Sequence, residues 1–429
     1  MLMRRVLFIA YLYPPIANSG TRRSLEFVNH LPDHGWEPIV LTVAEPPPRV
    51  CDPTLLDEVR AGTRIERVPL WSDAFAGRIA RFIAPRSIRD RVAAGLAWRV
   101  RRLLQVPDET AAWYPLAVRR GIEIHREVGF DVIYASGWPW TSFLIARAIA
   151  RETKRPYVLD YRDTWKPTGT HKWEVQSWPQ RLFNPWIERT AARDAAELVS
   201  VTPSCASLIG ETTGRYRVNC ITNGFNPADF IGSSSVRSAG DDAVVRVVYT
   251  GVWRPGYGLE DLYQAVRRLK DAGAPCLRNL RVTGAGFVPG YARDFGVEDV
   301  VDESGMVPHA EAIALMTAST VLYLPVPEGH YATACLPGKL FEYLGSQRPI
   351  LASVPSNSEV ARVLDTVGGA MRIEPGNISG LATALERLSC GDDADLFSKR
   401  RPEELKRYTR ASTAKMLGEV LDTVARNAY

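Results

Sequence analysis

The chain contains the sequence Leu336-Pro337-Gly338-Lys339-Leu340-Phe341-Glu342-Tyr343-Leu344-Gly345, and Arg348-Pro349-Ile350-Leu351-Ala352 follows shortly after it. Pro337 and Gly338 are typical of a helix start, and the apolar spacing beyond them predicts an amphipathic helix. The helix is expected to end at Arg348 and Pro349, before a new apolar strand. A loop, a helix and a strand in this order are typical of a nucleotide-binding α/β unit.

The pattern places Glu342 in the first turn of this predicted helix. Backbone N–H groups at a helix start attract phosphate, and a carboxylate one turn further on can accept hydrogen bonds from a ribose diol. An ordinary amphipathic helix with a solvated Glu342 explains the same residues equally well, because helix N-termini favour acidic residues in any case. Both interpretations stay open on these residues alone.

Short continuous apolar runs alternate with segments of helical spacing along the whole chain. Continuous rather than alternating runs are expected when helices cover both faces of a parallel sheet. Strands that alternate with helices indicate βαβ units, so the predicted class is α/β with parallel sheets. The predicted strands are 6–10, 38–42, 132–135, 156–160, 198–201, 244–250, 280–283, 321–324, 350–352 and 370–373.

A polar, turn-rich segment after residue 230 separates two such series of strands. The expected organisation is an N-terminal Rossmann-like domain at 1–232, a C-terminal one at 233–402, and an amphipathic helix within 403–429 that packs back towards the N-terminal domain. In a pair of such domains, a ligand is expected in the cleft at the carboxyl ends of the strands.

Composition excludes several classes of protein. A net charge of +5 over 429 residues is too small to indicate nucleic-acid binding, and the six scattered cysteines favour neither a zinc site nor a disulfide framework. No apolar run approaches the roughly 18 residues of a membrane-spanning helix. We therefore expect a cytoplasmic protein in a reducing compartment.

In their order and spacing, a series of motifs resembles the two-domain GT-B glycosyltransferases, specifically the bacterial polysaccharide and glycoconjugate branch of retaining glycosyltransferase family 4. The resemblance extends over nearly the whole chain. The motifs are Tyr13-Pro14-Pro15, Ser19-Gly20-Thr21-Arg22-Arg23, Gly35-Trp36-Glu37-Pro38, Asp131-Val132-Ile133-Tyr134, Asp160-Tyr161-Arg162-Asp163, Thr222-Asn223-Gly224-Phe225, Tyr249-Thr250-Gly251, Gly284-Ala285-Gly286 and the block from Gly338 to Pro349.

The resemblance implies transfer of a sugar from a nucleotide diphosphate sugar to a hydroxyl group, with retention at the anomeric carbon and without a metal or cofactor. The C-terminal domain would bind the donor and the N-terminal domain the acceptor. Glu342 would hold the ribose hydroxyls, and backbone amides of the loop before the helix would meet the diphosphate. Gly338, Leu340, Gly284 and Val307 are further donor-site candidates.

The chain departs from the family pattern at two places. Ala334 stands where many members have a second glutamate that contacts the donor sugar, so Glu328 and His330 become candidates for that contact; a solvated loop is the alternative. Tyr257 stands where a diphosphate-binding lysine is common. Arg254 and Lys339 are the remaining candidates for that charge, against the alternative of surface basic residues.

The acceptor side has two candidate features. Ser19, Gly20, Thr21 and Arg22 precede or begin the first N-terminal helix, where free amides can face a ligand, although a plain glycine turn explains them too. Asp163 follows a predicted strand and could orient the acceptor hydroxyl; a helix cap or an ion pair with Arg162 is the alternative.

Two segments suggest a membrane partner. Residues 74–102 contain eight arginines among apolar residues, with Asp90 as their single acid, and 165–186 contain several tryptophans. Such composition favours peripheral docking on an anionic membrane, at the inner face of the cell membrane, to reach a lipid-linked acceptor. The alternative is a solvated helix face with aromatic residues packed internally.

Two other functions compete with a transferase. A noncatalytic nucleotide-sugar-binding partner subunit would have the same fold, and Ala334 and Tyr257 favour it. A dinucleotide-dependent oxidoreductase is suggested only by the glycines at 284, 286 and 290, which are weak evidence alone.

Overall fold

Two all-parallel β-sheets form the framework of the computed structural model. The structure describes residues 3–44, 51–71, 105–166, 176–231, 244–251, 256–286, 290–329, 334–391 and 397–427. Within these residues one sheet has seven strands and the other six, and all neighbouring strands in both sheets are parallel. The predicted α/β class with two parallel sheets is confirmed.

The first sheet has the strand order β3-β2-β1-β4-β5-β6-β7. Its strands are β1 (Arg4–Ile9), β2 (Trp36–Val43), β3 (Arg64–Val68), β4 (Val132–Gly137), β5 (Tyr157–Tyr161), β6 (Glu197–Ser200) and β7 (Asn219–Cys220). The helices in this part of the chain are Ser19–His30, Tyr114–Val128, Thr141–Thr153, Trp178–Asp194, Pro203–Thr213 and Arg410–Arg426.

The second sheet has the strand order β10-β9-β8-β11-β12-β13. Its strands are β8 (Val245–Thr250), β9 (Leu280–Ala285), β10 (Val301–Gly305), β11 (Val321–Pro325), β12 (Ile350–Ser353) and β13 (Ala370–Ile373). Its helices are Leu259–Asp271, Tyr291–Asp294, His309–Ala318, Gly338–Ser346, Glu359–Val367, Ile378–Ser389 and Pro402–Lys406.

Contacts divide the chain into two compact units, Met1–Thr222 with Arg410–Tyr429, and Asn223–Thr409. The last long helix, Arg410–Arg426, packs against the Ser19–His30 helix within the first unit. The segment from 403 to 426 is therefore not one continuous helix, since residues 407–409 separate Pro402–Lys406 from Arg410–Arg426.

Both faces of each sheet are covered by apolar side chains, which explains the continuous apolar runs. In β1, Leu7 and Ile9 belong to one core cluster, while Val6 and Phe8 belong to another. Because successive side chains of a strand point to opposite faces, each central strand must be apolar throughout.

Several sequence features need a correction or fall outside the described residues. Trp165, which we assigned to a membrane-facing aromatic segment, is buried and stacks on Trp140 with ring centroids 4.8 Å apart. The basic segment 74–102 and Trp173 lie outside the described residues. No helix of the described part of the chain is long and apolar enough to cross a bilayer.

Candidate functional site

The Gly338 helix, Gly338–Ser346, begins directly after Pro337 and ends at Gln347, which has a left-handed backbone conformation with φ 57°. Glu342 is its fifth residue, and the first turn contains no acidic side chain. The prediction that Glu342 lies in the first turn is therefore wrong. Because the helix has 3.6 residues per turn, the carboxylate lies in the second turn, further from the N-terminal amides.

One face of the Gly338 helix is fixed in the core of the second unit. Leu340, Phe341 and Leu344 are buried there. The Leu340 side chain is consequently unable to touch a ligand, and its N–H donates to the Pro337 carbonyl at 3.0 Å. The Tyr343 hydroxyl accepts a hydrogen bond from the Thr250 N–H at 2.9 Å, which ties the helix to the end of β8.

Lys339 reaches the carboxyl end of β8. Its ammonium donates to the Tyr249 hydroxyl, with Nζ and Oη 2.7 Å apart, and Nζ lies 4.0 Å from the centroid of the Tyr249 ring. Burial lowers the pKa of Lys339 to about 7, and the nearby Glu342 carboxylate only partly opposes this effect. An ammonium that is poorly solvated and only partly neutralised is suited to bind an anion.

Two glycines lie beside Lys339 at the ends of neighbouring strands. Gly251 follows β8 with φ 123°, and Gly286 follows β9 with φ 107°. A Cβ on Gly286 would lie 2.7 Å from the Gly251 carbonyl oxygen, and one on Gly251 would lie 3.0 Å from Lys339 Nζ. Both the backbone angles and these close approaches require glycine.

His309 approaches Glu342 from a second helix, His309–Ala318. Its Nδ1 lies 4.0 Å from Glu342 Oε1, and its Nε2 lies 3.9 Å from Asp229 Oδ2. Sequence patterns had singled out Val307 but neither His309 nor Asp229. Only the fold brings these side chains to Glu342, although a histidine that opens a helix directly after Pro308 was a visible local signal.

Two other donor-site candidates, Glu328 and Gly284, lie in a loop and in a strand. Glu328 is exposed after β11 and precedes Gly329, whose φ is 126°. Gly284 lies inside β9, paired with Tyr249 on one side and Glu303 on the other, so it is part of the sheet rather than of a loop. Arg254 and His330 lie outside the described residues.

The acceptor-loop candidates begin the first helix of the N-terminal unit, which starts at Ser19. The Asn18 side chain caps it by accepting a hydrogen bond from the Gly20 N–H at 2.9 Å. Gly20 also leaves room for the Arg162 guanidinium, which occupies the space that a Cβ would need. Arg162 in turn donates through Nε to the Gly137 carbonyl at 3.0 Å.

Arg162 and Asp163 follow β5, where both are half-buried. Burial lowers the pKa of the Arg162 guanidinium, and the negative charges of Asp163 and Asp160 oppose that change. Asp163 therefore lies close enough to Arg162 for the two charges to interact.

Thr21, Arg22 and Arg23 differ in their burial and in their partners. Thr21 is fully buried, and Arg22 forms an ion pair with Glu58. Arg23 makes a buried bidentate pair with Asp160, with nitrogen–oxygen distances of 2.9 and 2.8 Å. The Tyr134 hydroxyl donates to the same Asp160 carboxylate at 2.6 Å, so three elements are fixed together at this strand end.

Among the described residues, no group of three or more His, Cys, Asp or Glu side chains could hold a metal ion.

Comparisons with known proteins give one family match. Residues 20–224 match the family model described as Glycosyl transferase 4-like domain. A comparison with curated protein sequences finds no match.

Several solved structures have a similar fold. A glycosyltransferase from Rickettsia africae ESF-5 aligns with a TM-score of 0.58 and 11% identity, covering 99% of this chain and 96% of that one. HepE from Anabaena, solved in complex with UDP, aligns with a TM-score of 0.59 and 14% identity over 99% and 98% of the two chains. Sucrose-phosphate synthase from Thermosynechococcus elongatus aligns with a TM-score of 0.57 and 14% identity over 99% of this chain and 97% of that one. At such identities these alignments show a shared fold.

Proposed function

We propose that this chain, whose residues 20–224 match the glycosyl transferase 4-like domain model and whose fold is that of GT-B glycosyltransferases, transfers a sugar from a nucleotide diphosphate sugar to a hydroxyl group. The observation on which the proposal rests is the position of Lys339. Its ammonium is held at the end of β8 by Tyr249, beside the start of the Gly338 helix.

The donor diphosphate is assigned to the N-terminal end of the Gly338 helix. The first N–H groups of a helix lack the usual helical acceptors and attract anions. The Leu340 N–H already donates to the Pro337 carbonyl, so the amides assigned to the phosphate are those of Gly338 and Lys339. Lys339 adds a full positive charge when protonated, and Gly251 and Gly286 allow a phosphate to approach the backbone closely. Arg254, which follows β8 in the sequence, is retained as a second phosphate-binding candidate.

The donor ribose is assigned to Glu342. A carboxylate can accept hydrogen bonds from both hydroxyls of a ribose, and one turn of helix separates it from the diphosphate site. His309 Nδ1 lies 4.0 Å from the carboxylate and so borders the same site. A structure of Anabaena HepE contains UDP, which makes uracil the first donor base to test here.

The proposed reaction breaks the bond between the anomeric carbon and the donor phosphate oxygen and forms a bond to the acceptor oxygen on the same face of the sugar, which gives retention. The acceptor proton passes to the leaving phosphate. Negative charge grows on the diphosphate as this happens, so Lys339 and the helix amides lower the barrier. No separate protein base is required.

The acceptor is assigned to the N-terminal unit, at the Ser19 helix start and Asp163. Asp163 would orient the acceptor hydroxyl, with Gly20 and Arg162 shaping the surface beside it. We propose a glycoconjugate or polysaccharide acceptor that is lipid-linked, with the enzyme acting peripherally at the cytoplasmic face of the membrane.

A panel of nucleotide sugars, beginning with UDP-glucose, tests the donor assignment by thermal shift, because a ligand that binds the folded state raises the apparent stability. The hit is then incubated with acceptor mixtures while release of nucleoside diphosphate is measured. Stabilisation by one nucleotide sugar and release of its nucleoside diphosphate would support the proposal. Absence of any stabilisation across UDP, GDP, ADP and dTDP sugars would contradict it.

A noncatalytic subunit that binds a nucleotide sugar is the second candidate. The position of the usual second glutamate is held by Ala334, which is buried and has no carboxylate to offer a donor sugar. Tight donor binding without turnover, over acceptors that include membrane extracts, would favour this function.

A further inference from the structure

The Trp178 helix, Trp178–Asp194, exposes a broad apolar face to solvent. Trp178, Leu182 and Trp186 follow one another at intervals of four residues, so they form one stripe along the helix. Their exposed fractions are 60%, 63% and 66%, and the adjacent Phe183 is 46% exposed. An exposed stripe of this size and composition marks an interaction surface.

The opposite face of the helix is firmly anchored. Asn184 donates to the Pro107 carbonyl at 3.1 Å, and Gln180 donates to the Gln105 carbonyl at 2.7 Å. Glu188, Ala191 and Ala192 are buried on the same side. The helix cannot rotate its aromatic stripe into the core without breaking these contacts, so the exposure is built into the fold.

Basic residues predominate on the exposed face. Arg181, Arg189 and Arg193 are exposed among the apolar side chains. The helix has two carboxylates: Glu188 is buried, and Asp194, the last residue, is exposed but forms ion pairs with Arg147 and Arg193. The solvent-facing surface from Trp178 to Arg193 is therefore apolar and basic, and the exposed acid that follows it is ion-paired.

We infer that the Trp178 helix is a docking surface for an anionic lipid bilayer. Tryptophan is favoured at membrane–water interfaces, and amphipathic helices that combine Trp, Phe and Leu with arginines lie in the interface of anionic membranes. Arg189 continues the stripe one turn beyond Trp186 and adds a charge that is complementary to anionic lipid headgroups. This inference rests on the proposed function, because it supplies the route to a lipid-linked acceptor.

Co-sedimentation with vesicles tests the inference on the full chain. The wild-type protein should bind vesicles of phosphatidylcholine with 30% phosphatidylglycerol at low salt, bind pure phosphatidylcholine far less, and dissociate as salt screens the charges. The triple variant W178A/L182A/W186A should bind the anionic vesicles at least about tenfold more weakly. R189Q/R193Q should bind the anionic vesicles more weakly than the wild type and retain part of the preference for anionic lipid, because Arg181 remains.

Two controls keep the outcome specific. Ile231 and Met306 are exposed apolar residues elsewhere, at 81% and 76%, so I231A/M306A should bind vesicles like the wild type. Stabilisation by nucleotide sugars should be equal in all variants, which separates failure of docking from failure of the proposed donor function.

Unchanged vesicle binding by the triple variant would overturn the assignment of this helix, as would no binding by the wild type. A wild-type dimer that becomes monomeric in the triple variant, with no vesicle binding by either, would show instead that the stripe is an interface between two copies.

Discussion

The Lys339 ammonium lies 2.7 Å from the Tyr249 hydroxyl, and burial lowers its pKa to about 7, so its charge changes with pH near neutrality. The folded state holds this proton weakly because the site is poorly solvated, and a bound diphosphate would hold it tightly. Binding of a nucleotide sugar and protonation of Lys339 are therefore expected to be coupled.

The first prediction concerns the pH dependence of donor binding. The dissociation constant of a nucleotide sugar such as UDP-glucose should rise above pH 7 by up to about tenfold per pH unit, because the free protein must first take up a proton. Calorimetry at pH 8 in buffers of different ionisation heat should reveal that uptake. Lys339→Met should weaken binding and abolish the pH dependence, whereas Lys406→Met, at an exposed ion pair, should change neither. A pH dependence that survives in Lys339→Met would contradict this role.

The second prediction concerns the ribose contact. Glu342→Ala should weaken binding of the donor by about 1–3 kcal/mol, because hydrogen bonds to a charged acceptor are lost. Glu311→Ala, at an exposed position in the first turn of the neighbouring helix, is the matched control and should bind normally. Equal donor affinities of the two variants, measured by calorimetry, would show that Glu342 does not contact the donor.

The third prediction separates backbone strain from close contact at Gly286. Gly286→Ala combines a positive φ of 107° with a Cβ 2.7 Å from a backbone oxygen. Gly290→Ala has a similar φ of 114° but no atom within 4 Å of its added Cβ. Both should be destabilised by about 1 kcal/mol or more. Gly286→Ala should lose more unfolding free energy than Gly290→Ala, and it should also weaken donor binding. Equal losses of unfolding free energy, measured by urea unfolding, would mean that the close contact at Gly286 is easily relieved.

The fourth prediction compares two adjacent arginines. Asp160→Asn leaves Arg23 buried with an uncompensated charge and should cost about 3–5 kcal/mol of unfolding free energy. Glu58→Gln breaks the ion pair of Arg22 near the surface and should cost at most about 1 kcal/mol. The double variant R23M/D160L, measured by urea unfolding, should recover part of the loss because no buried charge is left. No recovery would indicate that the pair has further essential contacts.

The sequence was most informative where packing alone determines the pattern. Central strands such as β1 and β11 were predicted because both of their faces are buried. Of the four edge strands of the two described sheets, β13 was predicted, whereas β3, β7 and β10 were not. The β7 strand has two residues, and Arg64–Val68 and Val301–Gly305 contain charged residues that edge positions tolerate. Continuous apolar runs therefore detect most readily the strands that are covered on both faces.

The candidate site was predicted only in part, for a different reason. Lys339 and Glu342 belong to one local motif, so a single segment of sequence could identify both. His309 and Tyr249 reach that motif from other strands and helices, and no local spacing records which ends of parallel strands will meet. The buried pair of Arg23 and Asp160 was equally invisible, since an arginine is by default expected at the surface.

The last prediction concerns Glu188, on the buried face of the Trp178 helix. Burial raises the pKa of its carboxyl from the ordinary 4.5 to about 8, so the folded state keeps a proton that the unfolded chain loses. Between pH 4.5 and 8 the folded state binds more protons, and the free energy of unfolding should therefore fall as pH rises, by about 1.4 kcal/mol per pH unit from this group. Glu188→Gln should remove that slope and should be more stable than the wild type at pH 8, while Glu211→Gln, at an exposed helical position, should keep the wild-type slope. Urea unfolding at pH 5, 6, 7 and 8 measures the difference, and parallel curves for Glu188→Gln and the wild type would mean that the buried carboxyl is ionised and compensated in the folded protein.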